Sequence, residues 1–318
     1  MDADRLLDPT YDFFRDEPES DWTLTGLPAI RTRIEATFPT PEHSRCEQHW
    51  SGNASGDAKV RLCVYRPEAN EAATTPAILY VHGGGFVLGR PEMLDDYLAQ
   101  LARQLNATII AVDYRLAPEH PFPLPLEDCY SALAWIWANA GRFNLDTRRV
   151  VVMGHSAGGG LAAALTILAR DRGRYGVRGL VLIYPMLDHR TGSAEEVQPN
   201  PSTGTFSWSR EANQFCWACM QGEYRIDDER AGYFSPSRAA NLAAMPPTFL
   251  STGALDLFLE EDVAFALRLS RAGVAVELHV YPGVPHMFDQ HPGALTDQAN
   301  LDTVRALEKM LAPSADPS

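Results

Sequence analysis

Short apolar runs alternate with amphipathic stretches along most of this chain, beginning at Val60. Aliphatic and β-branched residues cluster in Val60–Tyr65, Ala77–His82, Thr108–Tyr114, Val150–Gly154, Gly179–Tyr184, Pro247–Thr252 and Ala275–Tyr281, and each run is predicted as a strand. Between them, helices are predicted over Glu92–Leu105, Leu126–Ala140, Ala157–Arg170, Leu259–Ala272 and Gln298–Leu311. In the first of these, Leu94, Leu98, Leu101 and Leu105 fall on one face at helical spacing. Strands and helices in alternation predict an α/β fold with a mostly parallel central sheet flanked by helices.

Two stretches break the alternation. Residues 1–50 are acidic, with Pro and Trp scattered through them, and residues 189–235 hold Phe206, Trp208, Phe215, Trp217, Tyr224, Tyr233 and Phe234 among Gly, Pro and Ser. Neither interrupts the sheet if both pack above one edge of it. The expected organisation is therefore an N-terminal arm (1–50), core (51–188), a cap insertion (189–235) and core again (236–318). No internal repeat is visible, and Pro313–Ser318 reads as a loose tail.

Composition narrows the function classes. The chain has 318 residues, 45% of them hydrophobic and 21% charged, enough to bury a large core without disulfide or metal staples. A formal charge of −14 with no Lys/Arg run repels nucleic acid and anionic membrane alike. Asp2, Asp4, Asp8, Asp12, Asp16, Glu17 and Glu19 crowd the amino terminus, where a secretory leader would need a basic start and an apolar stretch. The apolar-leaning run Gly158–Ala169 is too short to span a bilayer. Five scattered cysteines, an odd number, fit a reducing cytoplasm. Cys216 and Cys219 have redox-motif spacing but no further Cys or His ligands, and they read as structural thiols on one helix. No metal site and no cofactor is expected.

The chemistry gathers in a few motifs. Gly154-His155-Ser156-Ala157-Gly158 sits between a predicted strand and a predicted helix, where a sharp turn lifts a serine hydroxyl out of the sheet. His82-Gly83-Gly84-Gly85-Phe86 follows the strand beginning at Ala77. Successive glycines let backbone N–H groups converge on an oxyanion, and no Lys or Ser/Thr follows in the order a phosphate loop needs. Among nine histidines, His155 would leave the turn beside Ser156 and could not swing back onto its hydroxyl; His279 falls within a strand, and His189 and His291 lack a framing motif. His286 lies in Tyr281-Pro-Gly-Val-Pro-His286-Met-Phe288, a rigid turn after the last strand, where α/β sheets place their sites. Asp256 follows the strand ending at Thr252, whereas Glu260, Glu261 and Asp262 read more simply as acids in a helix's first turn. The resulting order is Ser156, Asp256, His286, that of the α/β-hydrolase fold.

Together, His82–Phe86, Asp113–Pro123 (DYRLAPEHPFP), Gly154–Gly159, Tyr184–Asp188 (YPMLD) and Tyr281–Phe288 resemble the bacterial branch of the hormone-sensitive lipase family of esterases. The resemblance runs from about Val60 to the final helix. It implies an α/β-hydrolase fold with a helical cap formed by the arm and the insertion. It also implies Ser156, Asp256 and His286 as catalytic triad, the amides of Gly83, Gly84 and Ala157 as oxyanion hole, Gly85 as support for that loop, and Asp113–Pro123 as a structural segment near the site. Two positions depart from the family: His155 stands where many members have Asp or Thr, and Asp256-Leu257-Phe258 replaces the usual Asp-Pro-Leu. Neither change is expected to move the triad.

The activity expected is serine carboxylesterase action on short- to medium-chain acyl esters in the cytoplasm, with Phe86, Phe206 and Trp208 as walls of the acyl pocket. An amidase or peptidase on the same fold would use the same triad, and a non-catalytic ligand-binding relative would have lost part of it. The expected partner is a small-molecule ester, without nucleic acid or membrane span, and a homodimer is compatible with this reading.

Overall fold

A computed structural model of the protein describes residues 3–52, 59–67 and 74–313. The first part of the chain holds α1 (Leu27–Thr37), β1 (Glu47–Gly52), β2 (Lys59–Tyr65), β3 (Thr75–Val81), α2 (Asp95–Leu105) and β4 (Thr108–Asp113). Then come α3 (Leu124–Ala138), α4 (Ala140–Phe143), β5 (Leu145–His155), α5 (Ala157–Arg172) and β6 (Gly179–Ile183). The last third holds α6 (Arg210–Gln221), α7 (Ala231–Phe234), β7 (Thr248–Gly253), α8 (Leu259–Arg271), β8 (Val276–Tyr281) and α9 (Ala294–Leu311). The tail expected at Pro313–Ser318 lies, beyond Pro313, outside the described residues.

Eight strands form one sheet in the order β1-β2-β4-β3-β5-β6-β7-β8. β2 runs antiparallel to both its neighbours, and all other pairings are parallel. Helices cover both faces, so β3, β6 and β7 are buried on both and read in the sequence as unbroken apolar runs. On one face Leu79, Val81, Val152, Leu182 and Leu250 pack with α3, α5 and α8. On the other, Ile78, Tyr80, Val151, Met153 and Phe249 meet Leu98 and Leu101 of α2 and Val304, Leu307 and Leu311 of α9. Burying one such leucine contributes about 2 kcal/mol.

All seven predicted strands form, with ends shifted by a few residues at most except at β5, which starts at Leu145 rather than Val150. The strand β1 has no apolar alternation to reveal it: Glu-Gln-His-Trp-Ser-Gly is an edge strand with one buried position, Ser51. Pro91 sets a 3-10 turn over Pro91–Leu94, and α2 begins only at Asp95 instead of Glu92. The predicted Leu126–Ala140 helix is α3 and a separate short α4, divided at Asn139.

The arm and the insertion meet beyond the carboxyl ends of the strands. Leu7, Tyr11 and Phe14 of the arm pack with Phe206 of the insertion, with Tyr281 at the end of β8 and with Val284 and Phe288 beyond it. Trp22 stands edge-on to Trp208, ring centres 5.3 Å apart. Cys216 and Cys219 share α6, and all five cysteines are free. Among the described residues no helix is long and apolar enough to cross a membrane.

Candidate active site

The parallel register aligns Val81 with Gly154 and Gly253 with Tyr281, so the segments after β3, β5, β7 and β8 emerge together on one side of the sheet. Ser156 is the single residue between β5 and α5, with φ 54° and ψ −123°. Few non-glycine residues adopt such a backbone, and it aims the side chain away from the sheet. The turn is held where it is: the Ser156 amide donates to the Ile183 carbonyl (2.9 Å), and the Ser156 carbonyl accepts from Met186 (3.0 Å). Close approach explains the glycines, since a Cβ on Gly158 would collide with the backbone carbonyls of Val81 and His82.

Three side chains from three loops form one hydrogen-bonded line. Ser156 Oγ lies 2.9 Å from His286 Nε2, and His286 Nδ1 lies 2.8 Å from Asp256 Oδ2. The other Asp256 oxygen accepts from the Phe258 amide at 2.9 Å, which fixes the carboxylate's rotation. Relative exposures of 5%, 1% and 0% for Ser156, His286 and Asp256 keep bulk water from competing for these bonds. With Asp256 accepting at Nδ1, the ring presents an unprotonated Nε2 to the serine hydroxyl. The imidazole is walled by Tyr184 (4.6 Å between ring centres), Phe258 (5.1 Å) and Trp208 (5.9 Å).

The glycine loop after β3 lies against the serine turn, the Gly83 α-carbon facing His155 and Ser156. Gly84 has φ 115°, a conformation suited to glycine, and its carbonyl accepts from Val87 (3.1 Å) and Leu88 (2.9 Å). The segment after β4 buttresses this loop: Tyr114 stacks on His82 (4.2 Å) and donates to its carbonyl (3.0 Å), and Ala117 donates to the Phe86 carbonyl (2.9 Å). Arg115 in turn grips Asp128 of α3 through two nitrogens, at 2.8 and 2.7 Å. The amide of Ala157, at the first position of α5, has no intrahelical acceptor by virtue of its position.

The three residues expected to wall an acyl pocket are spread differently. Trp208 stands beside His286 and over Gly85. Phe86 is turned onto Trp217 (5.0 Å), and Phe206 belongs to the arm's apolar cluster, with the Arg15 guanidinium 5.8 Å from its ring centre. Phe206 thus packs with Leu255, next to Asp256 in the chain, rather than among the rings around His286.

Two features behind the triad escaped the sequence reading. Glu261 and Asp262 are buried rather than solvated first-turn acids, and Glu261 accepts from the Leu187 amide (2.5 Å), the Asp188 amide (3.2 Å) and the Thr191 hydroxyl. It thereby ties down the segment that follows β6. The second feature is Asp289, one turn past His286. It accepts from the Tyr184 hydroxyl at 2.7 Å, and its other oxygen lies 3.8 Å from His155 Nε2. His155 points into the sheet's other face, with Tyr80 Oη 3.2 Å from Nδ1. No pattern signals this group, because its members are single polar residues far apart in the chain.

Burial drives the charges of this group down. It pushes the Asp289 carboxyl up to about 6 and, with His286 adding a smaller effect, the His155 imidazole down to about 3. A carboxyl raised by folding favours the native state fully below the unfolded value, near 4, and that contribution is lost as pH rises through 6. Asp289→Asn, which keeps an oxygen for Tyr184, should therefore match the wild type near pH 4 and gain on it by about 3 kcal/mol at pH 7. Urea unfolding at the two pH values measures this, and a constant difference would refute it.

Known proteins share this architecture. The family profile described as alpha/beta hydrolase fold matches residues 78–290. "Esterase LipI" of Mycobacterium tuberculosis is 30% identical over 274 residues, covering 85% of this chain and 83% of its own. "Ethyl acetate hydrolase" of Pseudomonas putida is 33% identical over 253 residues, covering 79% and 77%. Among solved structures, "Bacterial Heroin Esterase" superposes with a TM-score of 0.88 at 34% identity, covering 97% of this chain and 99% of its own. With the glycine loop, the serine turn and the connected Ser, His and Asp all on this scaffold, the chain belongs to the hormone-sensitive lipase family of carboxylic ester hydrolases with the α/β-hydrolase fold.

Proposed function

We propose that the protein hydrolyses short- to medium-chain carboxylic esters with Ser156 as nucleophile, His286 as general base and Asp256 as the acid that orients it. The observation that carries this reading is the continuous line from Ser156 Oγ through His286 to Asp256, with both links at 2.9 Å or less. His286 takes the serine proton as Oγ attacks the ester carbonyl, and Asp256 stabilises the imidazolium that forms. The amides of Gly83, Gly84 and Ala157 receive the oxyanion, each worth about 3 kcal/mol in such sites. The alcohol leaves with the proton from His286, and water then repeats the sequence on the acyl-enzyme. A serine-directed phosphonate tests the assignment: a single adduct at Ser156 is expected, and labelling of another serine would refute it.

The substrate range follows from the cover over the site. The arm and the insertion act as one cap, closed over a triad that is almost wholly buried. Trp208 is the wall nearest the base; Phe86 and Phe206 shape the pocket from behind, through Trp217 and Leu255. Each methylene that enters adds up to ~0.8 kcal/mol until the space is filled, and then clashes. On p-nitrophenyl esters kcat/KM should peak between acetyl and octanoyl, with long-chain triglyceride emulsions poor substrates. A series still climbing at palmitoyl would overturn this picture of the cap.

A further inference from the structure

Away from the triad, under the amino end of α2, two thiols meet. Cys46 Sγ, Cys63 Sγ and a Glu92 carboxylate oxygen all lie within 4.8 Å of one another. Cys63 lies within β2 and is buried, whereas Cys46 immediately precedes β1 and is only partly covered. The β1–β2 register pairs Gln48 with Cys63, which puts Cys46 on the diagonal of the same face. Because β1 pairing starts at Glu47, the backbone of Cys46 lies outside the ladder, its amide donating to the Ser44 hydroxyl (3.3 Å).

The surroundings favour thiol chemistry over cation binding. Both Glu92 oxygens already accept from the Arg61 guanidinium, which also reaches Asp113 (2.8 Å) and lies 3.4 Å from Cys63 Sγ. A metal ion placed among the three would face that fixed positive charge. That charge lies against Cys63, whereas at Cys46 it is the Ser44 hydroxyl, donating to Sγ at 3.3 Å, and the neighbouring Cys63 thiol that favour an anionic sulfur. A cavity of about 600 Å³, lined by His43, Arg45, Glu92 and Asp95, opens beside the cluster, with Glu92 common to both.

We propose that Cys46 and Cys63 form a peroxide-reactive dithiol, Cys46 being the thiol oxidised first and Cys63 the one that resolves it. The Cys46 thiolate attacks one oxygen of hydrogen peroxide, the O–O bond breaks, Cys46 becomes a sulfenic acid, and the departing hydroxide takes up a proton as water. The Cys63 sulfur then attacks that sulfenic sulfur. Its S–O bond breaks, the disulfide forms, and the hydroxide leaves with the Cys63 proton as a second water. Two thiols are oxidised and one peroxide is reduced; a dithiol reductant reverses the change. The hydrogen bond between the two thiols, with burial adding to it, raises Cys63; the same bond, helped by the Ser44 hydroxyl, brings Cys46 down to about 7 against its own burial and the nearby Glu92 and Asp95 carboxylates, in keeping with that division of roles.

The test uses the reduced, full-length protein. It is treated with a few equivalents of hydrogen peroxide, quenched with catalase, alkylated with iodoacetamide and digested with trypsin, which cuts at Lys59 and Arg61 between the two thiols. Mass spectrometry should find the peptides of Cys46 and Cys63 joined, and dithiothreitol should separate them. Cys63→Ser should stop at a sulfenic acid on Cys46 that dimedone captures, and Cys46→Ser should abolish both products. Independently of any variant, Cys46 in the native protein should be alkylated on the order of tenfold faster than the other four cysteines. Absence of the joined peptides, dimedone on a cysteine other than Cys46, or equal alkylation of all five would each overturn the proposal.

Discussion

Ser156→Ala should fold as the wild type does and lose esterase turnover by on the order of 10⁴ or more, with His286→Ala close behind and the double variant little worse than either. In the proposed mechanism the two residues act as a unit through one 2.9 Å hydrogen bond, so that removing either member would remove the activated nucleophile. What survives is the contribution of the oxyanion donors and of binding, which neither substitution touches. Rates on p-nitrophenyl butyrate, paired with melting curves, separate lost chemistry from lost structure. Multiplicative losses in the double variant would show that Ser156 and His286 do not work together. Activity remaining in His286→Ala but not in His155→Ala would mean that the base had been assigned to the wrong ring.

Gly158→Ala adds one methyl and should be nearly as damaging. The new Cβ would run into the carbonyls of Val81 and His82, both backbone atoms of β3 and the loop after it, which no side-chain rotation can relieve. Either α5 lifts off the sheet or the glycine loop is pushed from the serine. The first outcome costs about 3 kcal/mol or more of stability. The second would move the proposed oxyanion donors and lower kcat about 10²- to 10³-fold. Gly176→Ala is the control, because nothing lies within 4 Å of a Cβ there and stability should stay within about 0.5 kcal/mol. Wild-type stability and kcat in Gly158→Ala would show that the serine turn is looser than described.

How much of this was legible in the sequence depended on where each residue's constraint comes from. Strands buried on both faces, such as β3 and β6, leave short unbroken apolar runs rich in Ile, Leu and Val. The loops carrying Ser156, Asp256 and His286 were legible because glycine and proline mark the turns and the strand order does the rest. By contrast, β1 is an edge strand whose polar side chains answer to solvent. Glu261 looked like an ordinary first-turn acid because only the packed structure brings Leu187 and Asp188 to it. His155 was set aside as the base for want of reach, and its partners Tyr80 and Asp289 come from β3 and from beyond β8, with no local spacing to link them. Replacing it with the Asp common in the family would set a second carboxyl against Asp289 in a buried site.

The N-terminal arm touches the site's surroundings at three points. Asp8 donates its amide to Gly283 in the turn that carries His286 (2.8 Å), and Tyr11 bonds Thr296 just beyond that turn (3.0 Å), while Trp22 rests on Trp208 of the cover. One stretch of chain thus acts as strap to the lid and splint to the base. Prising the arm away to admit a bulkier ester would also slacken His286, the base of the proposed mechanism. Selection for larger substrates at this end of the molecule therefore works against catalytic precision, and a wider entrance is more readily gained from the insertion side, where Trp208 can be trimmed without disturbing Asp8 or Tyr11.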